Sequence, residues 1–247
     1  MAPYSRRGVH GQVVDTLGRR IVQGAIAPGE LIDPADVERE VRVSRTVVRE
    51  AIKVLAAKGL VDALPRRGTY VLPREQWNLL DADIMRWRHT GDGEQDAELL
   101  DNLSELRWLV EPFAARLAAQ RRTTADLAEL GAALKALGEG ATVGEHTAAD
   151  LAFHRAMLAA THNELMARLD VVLEPALRAR DALTFPHRDR GYLDLHAAVL
   201  EAVRAGDAEQ AAKAMADLLS QATADTTALA GKRAGRSAGS KKARPRH

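Results

Sequence analysis

Four polar residues on otherwise apolar helix faces carry the first chemical signal. Asp150 and His154 are four apart, so one helical turn puts both on the face of Leu151, Met157 and Leu158. His196 falls among Leu193, Val199, Leu200 and Val203, and Arg107 shares a stripe with Leu103, Leu106, Val110 and Phe113. A polar group on a buried face is costly without a partner. Any one of the four alone reads as a locally satisfied core group, but four on three helices point to a shared interior site. Asp with imidazoles is a ligand set for Zn2+ or a similar divalent ion. Arg clamps a carboxylate bidentately. Together they suggest a small organic acid, bridged or not by a metal.

A second constellation lies near the N-terminus. A helix opening at Ser44-Arg45-Thr46 carries Val48, Ala51, Ile52 and Leu55 at i, i+3, i+4 and i+7 as its buried stripe. Arg49 and Lys53 lie well round from that stripe, and Arg45 and Thr46 sit in the exposed first turn. Arg at the leading end of a helix suits the major groove, where it reads guanine O6 and N7. Arg66 and Arg67 stand at a hairpin tip, suited to phosphate or the minor groove, and Gly68 would let the backbone approach closely. Arg19 and Arg20 read as solvated surface.

The elements that must position these groups follow from periodicity. Val13, Leu17, Ile21 and Val22 mark a first helix, which the turn signal Ala27-Pro28-Gly29 would end. Asp33 or Asp36 would cap a second helix reaching Val41. Ser44 would cap a third, ending at Lys58-Gly59. Residues 60–64 and 69–72 read as two short strands joined by Pro65-Arg66-Arg67-Gly68. Three helices and a hairpin make a winged helix-turn-helix. From about residue 75 to 228 the pattern is helical throughout, with breaks at 91–93, 121–124, 138–144, 162–163, 185–191 and 206–207. That gives about seven helices, with Pro112 and Pro175 inside two of them. The expected fold is mainly α: a DNA-binding domain over 8–73, a linker and first helix over 74–95, an all-helical bundle over 96–229, and a disordered basic tail over 230–247. His89, His146, His162 and His187 read as solvated or capping groups, and Trp77 and Trp87 as docking the linker.

Composition bounds the classes. The 247 residues are 46% hydrophobic but only 4% aromatic, which favours helices packed on helices. There is no cysteine, so disulfides and thiolate metal sites are excluded. No apolar run is long enough to span a bilayer, and no secretory leader is visible, so a cytoplasmic protein with no membrane partner is expected. The net charge of +1 hides an asymmetry. Residues 1–73 hold 12 Lys and Arg against 8 Asp and Glu, residues 74–230 hold 16 against 26, and residues 231–247 hold 7 against none. Basic ends on an acidic body suit contact with a polyanion at the ends alone.

Residues 9–72 resemble the GntR family of bacterial transcription regulators. The resemblance is carried by Ile21-Val22-Gln23-Gly24, Pro28-Gly29, Val43-Ser44-Arg45-Thr46-Val47-Val48-Arg49-Glu50-Ala51, Leu55, Gly59-Leu60 and Arg67-Gly68-Thr69-Tyr70-Val71. Arg42 departs from the family, which usually has Gly there. The later segment resembles the FCD effector domain of the FadR subfamily through Glu105-Leu106-Arg107, Val110-Glu111-Pro112, Asp150-Leu151-Ala152-Phe153-His154, His162-Asn163, His196 and Gly206-Asp207. Metal-binding members use one Asp and three His. Asp150, His154 and His196 match three of these, and Leu218 stands in place of the fourth. Gln76-Trp77-Asn78, Leu80-Asp81-Ala82-Asp83 and Trp87 look like the galactonate-operon repressors of that subfamily. The resemblance implies a ligand-responsive homodimer that represses sugar-acid genes from an inverted-repeat operator. It also implies that Arg107 holds the effector carboxylate and that Tyr192 lies near its polyol. Two other readings compete: a metal-dependent hydrolase or lyase fused to a DNA-binding head, and a metal sensor. The enzyme reading lacks a general base placed by motif, and the sensor reading lacks a ligand at Leu218.

Overall fold

The structure, a computed structural model, describes residues 8–64, 68–89, 94–185 and 191–241. The chain divides into two compact units, residues 1–99 and 100–247.

The first unit begins with α1 (Val9–Val22), β1 (Leu31–Ile32), α2 (Pro34–Val41) and α3 (Arg45–Ala57), followed by β2 (Val61–Leu64), β3 (Gly68–Val71) and α4 (Ala82–His89). Val13, Leu17, Ile21, Val48, Ala51 and Leu55 are all buried, as the helical spacing predicts. α1 stops at Val22, before the expected turn at 27–29, because Gly24 takes a left-handed conformation directly after the cap residue Gln23. Asp33 caps α2, its side chain accepting from Ala35 N at 2.8 Å. Ser44 occupies the cap position of α3 but makes no side-chain cap bond. Arg42 ends α2 with φ 56°, the left-handed region that glycine adopts without steric penalty. β2 and β3 pair antiparallel, with Val61 opposite Val71 and Leu64 opposite Gly68. β1, which sequence periodicity did not show, pairs with β3 on its other edge. Two residues are too few to display an alternation.

α4 belongs to this head. Trp87 is fully buried in the same core as Leu17 and Ile21, and its Nε1 donates to Asp15 Oδ1 at 2.8 Å. Gly18 makes this possible, since a Cβ there would lie 2.3 Å from the Trp87 ring. Lys58 pairs with Asp81 and Asp83, and Arg86 with Asp15 and Asp83, at 2.7–3.1 Å. The helix read as part of a linker is thus fastened to the domain before it.

The second unit is helical: α5 (Glu94–Arg121), α6 (Thr124–Glu139), α7 (Val143–Ala159), α8 (Glu164–Ala167), α9 (Asp170–Thr184), α10 (Gly191–Ala205) and α11 (Ala208–Lys241). Thr123 and Thr142 close capping boxes with Asp126 and Glu145, which set the breaks before α6 and α7. Gly206, at φ 77°, supplies the turn between α10 and α11. Phe153, Met157, Val199, Val203, Met215 and Leu218 share the core.

Two expectations are corrected here. Phe113 is 54% exposed rather than inward. The buried stripe of α5 runs through Leu103, Arg107, Glu111, Ala114 and Ala118, and Phe113 lies about 120° round from Arg107 at 3.6 residues per turn. His146 is 4% exposed, with its ring edge-on to Tyr192 at 5.1 Å, so it is not a solvated cap. The last helix, α11, is assigned to Lys241. A helix satisfies its backbone internally and can outrun its last core contact.

Candidate functional site

Two sites emerge, one on each unit. On the head, α3 buries Val48, Ala51, Ile52 and Leu55 against α1, which turns Arg45, Thr46, Arg49 and Lys53 to the surface. Arg45 is 77% exposed, with Nε 3.9 Å from Glu38 Oε1. Lys53 Nζ donates to Glu50 Oε1 at 2.8 Å. Exposed pairs of this kind contribute little stability and give way readily to a phosphate or a base edge. Gly68 opens β3 at φ 84°. Arg66 and Arg67 lie outside the described residues, as do His187 and the side chain of His89. Arg19 and Arg20 pair with Asp15 and Glu40, both at 2.8 Å.

In the helical unit the four predicted residues form one connected network. Asp150 and His154 come from α7, His196 from α10 and Arg107 from α5, with exposures of 0%, 1%, 1% and 6%. Arg107 does not touch Asp150 directly. Its Nε donates to Glu111 Oε1 at 2.5 Å, one turn along α5. Glu111 Oε2 lies 2.7 Å from His154 Nδ1, a close ion contact rather than a well-directed hydrogen bond. His154 Nε2 is 3.8 Å from Asp150 Oδ1 and has no hydrogen-bond partner. Asp150 Oδ1 meets His196 Nε2 at 3.0 Å, and His196 Nδ1 reaches the Tyr192 carbonyl at 2.7 Å. The Tyr192 hydroxyl is itself engaged, donating to Leu137 O at 3.1 Å.

Three members were not singled out from sequence. Arg180 on α9 donates from Nη2 to Asp150 Oδ2 at 2.5 Å and to Asp181 Oδ1 at 2.7 Å. Asp181 is fully buried, with Oδ1 3.9 Å from His146 Nε2. Glu111 appeared in the sequence only as part of a family motif. Asp181 did leave a signal: it extends the buried Leu173–Leu177 spacing by another four residues. Arg180 lies beside that stripe and left none.

The charges set each other's states. Burial alone would push the Glu111 carboxyl up, but Arg107 and His154 more than reverse this and hold it at about 2. Burial likewise opposes the Asp150 carboxylate, yet Arg180 and the His196 bond hold it well below the usual range. The Arg180 guanidinium, desolvated but flanked by Asp150 and Asp181, is held above its ordinary value.

Asp150, His154 and His196 could hold one metal ion, because one ligand atom from each lies within 4.8 Å of the others. The residues fit a divalent ion such as Zn2+. A backbone carbonyl only accepts, so the Tyr192 contact puts a proton on His196 Nδ1, and Nε2, 3.0 Å from Asp150 Oδ1, would face an ion once it gave up the proton it shares with that carboxylate. Glu111 holds the other side of the His154 ring through its 2.7 Å ion contact, and the buried, unpartnered Nε2 of His154 is the atom a cation would satisfy. Leu218 is buried in the core and supplies no fourth ligand.

Residues 10–71 match the model described as "Bacterial regulatory proteins, gntR family", and residues 102–221 match the "FCD domain". The galactonate operon transcriptional repressor of Escherichia coli is 34% identical over 218 residues, covering 86% of this chain and 94% of that protein. The transcriptional regulator LutR of Bacillus subtilis is 33% identical over 207 residues, covering 79% and 90%. A solved structure titled for Lar, which controls expression of the Listeria monocytogenes agr system, shares the fold. Its TM-score is 0.59 at 17% identity, with 92% of this chain and 100% of that one covered. Both matched families consist of transcription regulators rather than enzymes. The chain belongs to the GntR family of bacterial regulatory proteins, a DNA-binding transcription regulator whose second part is an FCD domain.

Proposed function

We propose that this protein is a ligand-responsive repressor of sugar-acid metabolism genes, working in the cytoplasm. A small hydroxylated carboxylate such as an aldonate is the effector. The observation that carries the reading is a buried network of arginines, carboxylates and histidines in the FCD domain of a chain 34% identical to a galactonate operon repressor. Arg45, Thr46, Arg49, Lys53 and the wing around Gly68 contact the operator, together with Arg66 and Arg67, which precede Gly68 in the sequence. Arg107, Asp150, His154, Tyr192 and His196 line the effector site. Asp150, His154 and His196 would hold a divalent ion, whose chemistry there is to attract the effector carboxylate as a Lewis acid.

A homodimer reads an inverted repeat, because a two-fold protein matches a two-fold site. Leu109 (75% exposed) and Phe113 (54%), one turn apart on α5, together with Trp108 (40%), form an apolar face suited to a second copy. Effector binding shifts the dimer between DNA-competent and DNA-incompetent arrangements.

The test is operator affinity by fluorescence anisotropy with and without saturating D-galactonate, repeated with a chelator. A fall in affinity supports the reading, and equal affinity at all sugar-acid concentrations overturns it. A response that survives the chelator rejects an obligatory metal bridge while leaving the effector assignment intact.

A further inference from the structure

Asp181 stands apart in the buried network because one of its oxygens is left over. Oδ1 accepts from Arg180 Nε at 3.0 Å and from Nη2 at 2.7 Å. Oδ2 is buried with no hydrogen-bond partner. Both bonds end on the one oxygen, and Arg180 is held in turn by Asp150 Oδ2 at 2.5 Å, so the guanidinium pins Oδ1 and leaves Oδ2 unclaimed. His146 Nε2, 3.9 Å from Oδ1, is beyond hydrogen-bond reach. The side chain points inward because it continues the Leu173 and Leu177 face of α9.

The chemistry of the missing partner follows. A carboxylate oxygen only accepts, and leaving it dry forfeits its hydration. A ligand atom bearing a hydrogen restores what was lost, whereas a ligand carboxylate in that place would add repulsion. The acid group of an effector thus belongs elsewhere in the network, and Oδ2 calls for an O–H donor.

We propose that Asp181, positioned by Arg180, reads a hydroxyl group of the effector, so that the site selects a hydroxylated acid over a plain carboxylate of the same length. This rests on the sugar-acid reading above. A site that hydrogen-bonds a ligand hydroxyl rejects the analogue lacking it far more strongly than an apolar pocket discriminates by size.

Isothermal titration of the full-length protein with D-galactonate and with hexanoate, which has six carbons and no hydroxyl, tests it. The wild type should prefer galactonate by at least about a hundredfold. Asp181→Ala should weaken galactonate by at least about tenfold while leaving hexanoate unchanged or tighter, collapsing the preference. Equal binding of the two acids by the wild type overturns the proposal, and that comparison needs no folded variant. An Asp181→Ala protein that keeps the full preference also overturns it, and leaves the repressor reading standing. Binding of neither acid overturns both.

Discussion

The head and the helical domain place their charged residues in opposite ways. In the head, α3 buries an apolar stripe and turns Arg45, Arg49 and Lys53 to the surface, where a polyanion can reach them. In the helical domain, Arg107, Glu111, Asp150, Asp181, His154 and His196 are all nearly or fully buried and are joined in one network, Asp181 through Arg180. A surface charge is cheap to keep and cheap to lose, and its worth appears only when DNA arrives. A buried charge is costly to desolvate, and removing its partner leaves it stranded. Binding residues of the head should therefore separate cleanly from stability, and those of the helical domain should not.

The sharpest way to break this contrast is Glu111→Ala, which leaves Arg107 buried without its 2.5 Å partner. We expect a loss of about 3–5 kcal/mol in denaturant unfolding of the helical domain. Arg107→Met combined with Glu111→Leu should recover most of it, since well-packed apolar side chains replace a buried pair at little cost. A loss below about 1 kcal/mol would mean that water reaches the network. Next in size is Gly18→Ala, which forces a methyl into the Trp87 ring and should destabilise the head by about 1–3 kcal/mol. Reduced operator binding with an unchanged melt of the helical domain would confirm that α4 is part of the head. A silent Gly18→Ala would separate α4 from it.

Arg49→Ala should cost about 1–3 kcal/mol of operator affinity by anisotropy titration, and shift unfolding by no more than about 0.5 kcal/mol. A large drop in stability would place Arg49 in a structural role and erase the contrast. The smallest effect is a gain. Arg42→Gly removes a side chain from a left-handed position and should stabilise the head by about 0.5–1 kcal/mol, with operator affinity unchanged. A weaker operator complex would show that the Arg42 side chain contacts DNA.

Legibility divided along the same line. The reading helix was visible residue by residue, because a solvated amphipathic helix is described by one period and one apolar stripe. Its predicted buried set, Val48, Ala51, Ile52 and Leu55, is the observed one. Asp150, His154 and His196 were visible because polar residues at core spacing stand out against Leu, Val and Met. Arg107 was found on a stripe that shares Leu103 with the true face but also took in the exposed Phe113. The true face of α5 passes through Ala114, Ala118 and Glu111, and small or charged residues give no hydropathy signal. Arg180 was missed because it lies beside the apolar stripe of α9, and His146 because it sits in the first turn of α7, where periodicity has too few turns to report.

The sequence by itself determined the fold class, the reading helix with its exposed arginines, and three of the groups that could hold an ion. These are local properties, set by spacing along one helix at a time. Which charge meets which was decided only by the tertiary structure. Arg107 is spent on Glu111, Asp150 is shared between His196 and Arg180, and Asp181 is left with an open oxygen. Arg107 and Glu111 are one turn apart on α5, but the Asp150 pairings join residues 30 and 46 positions apart on different helices, and no period within one helix encodes how another packs against it.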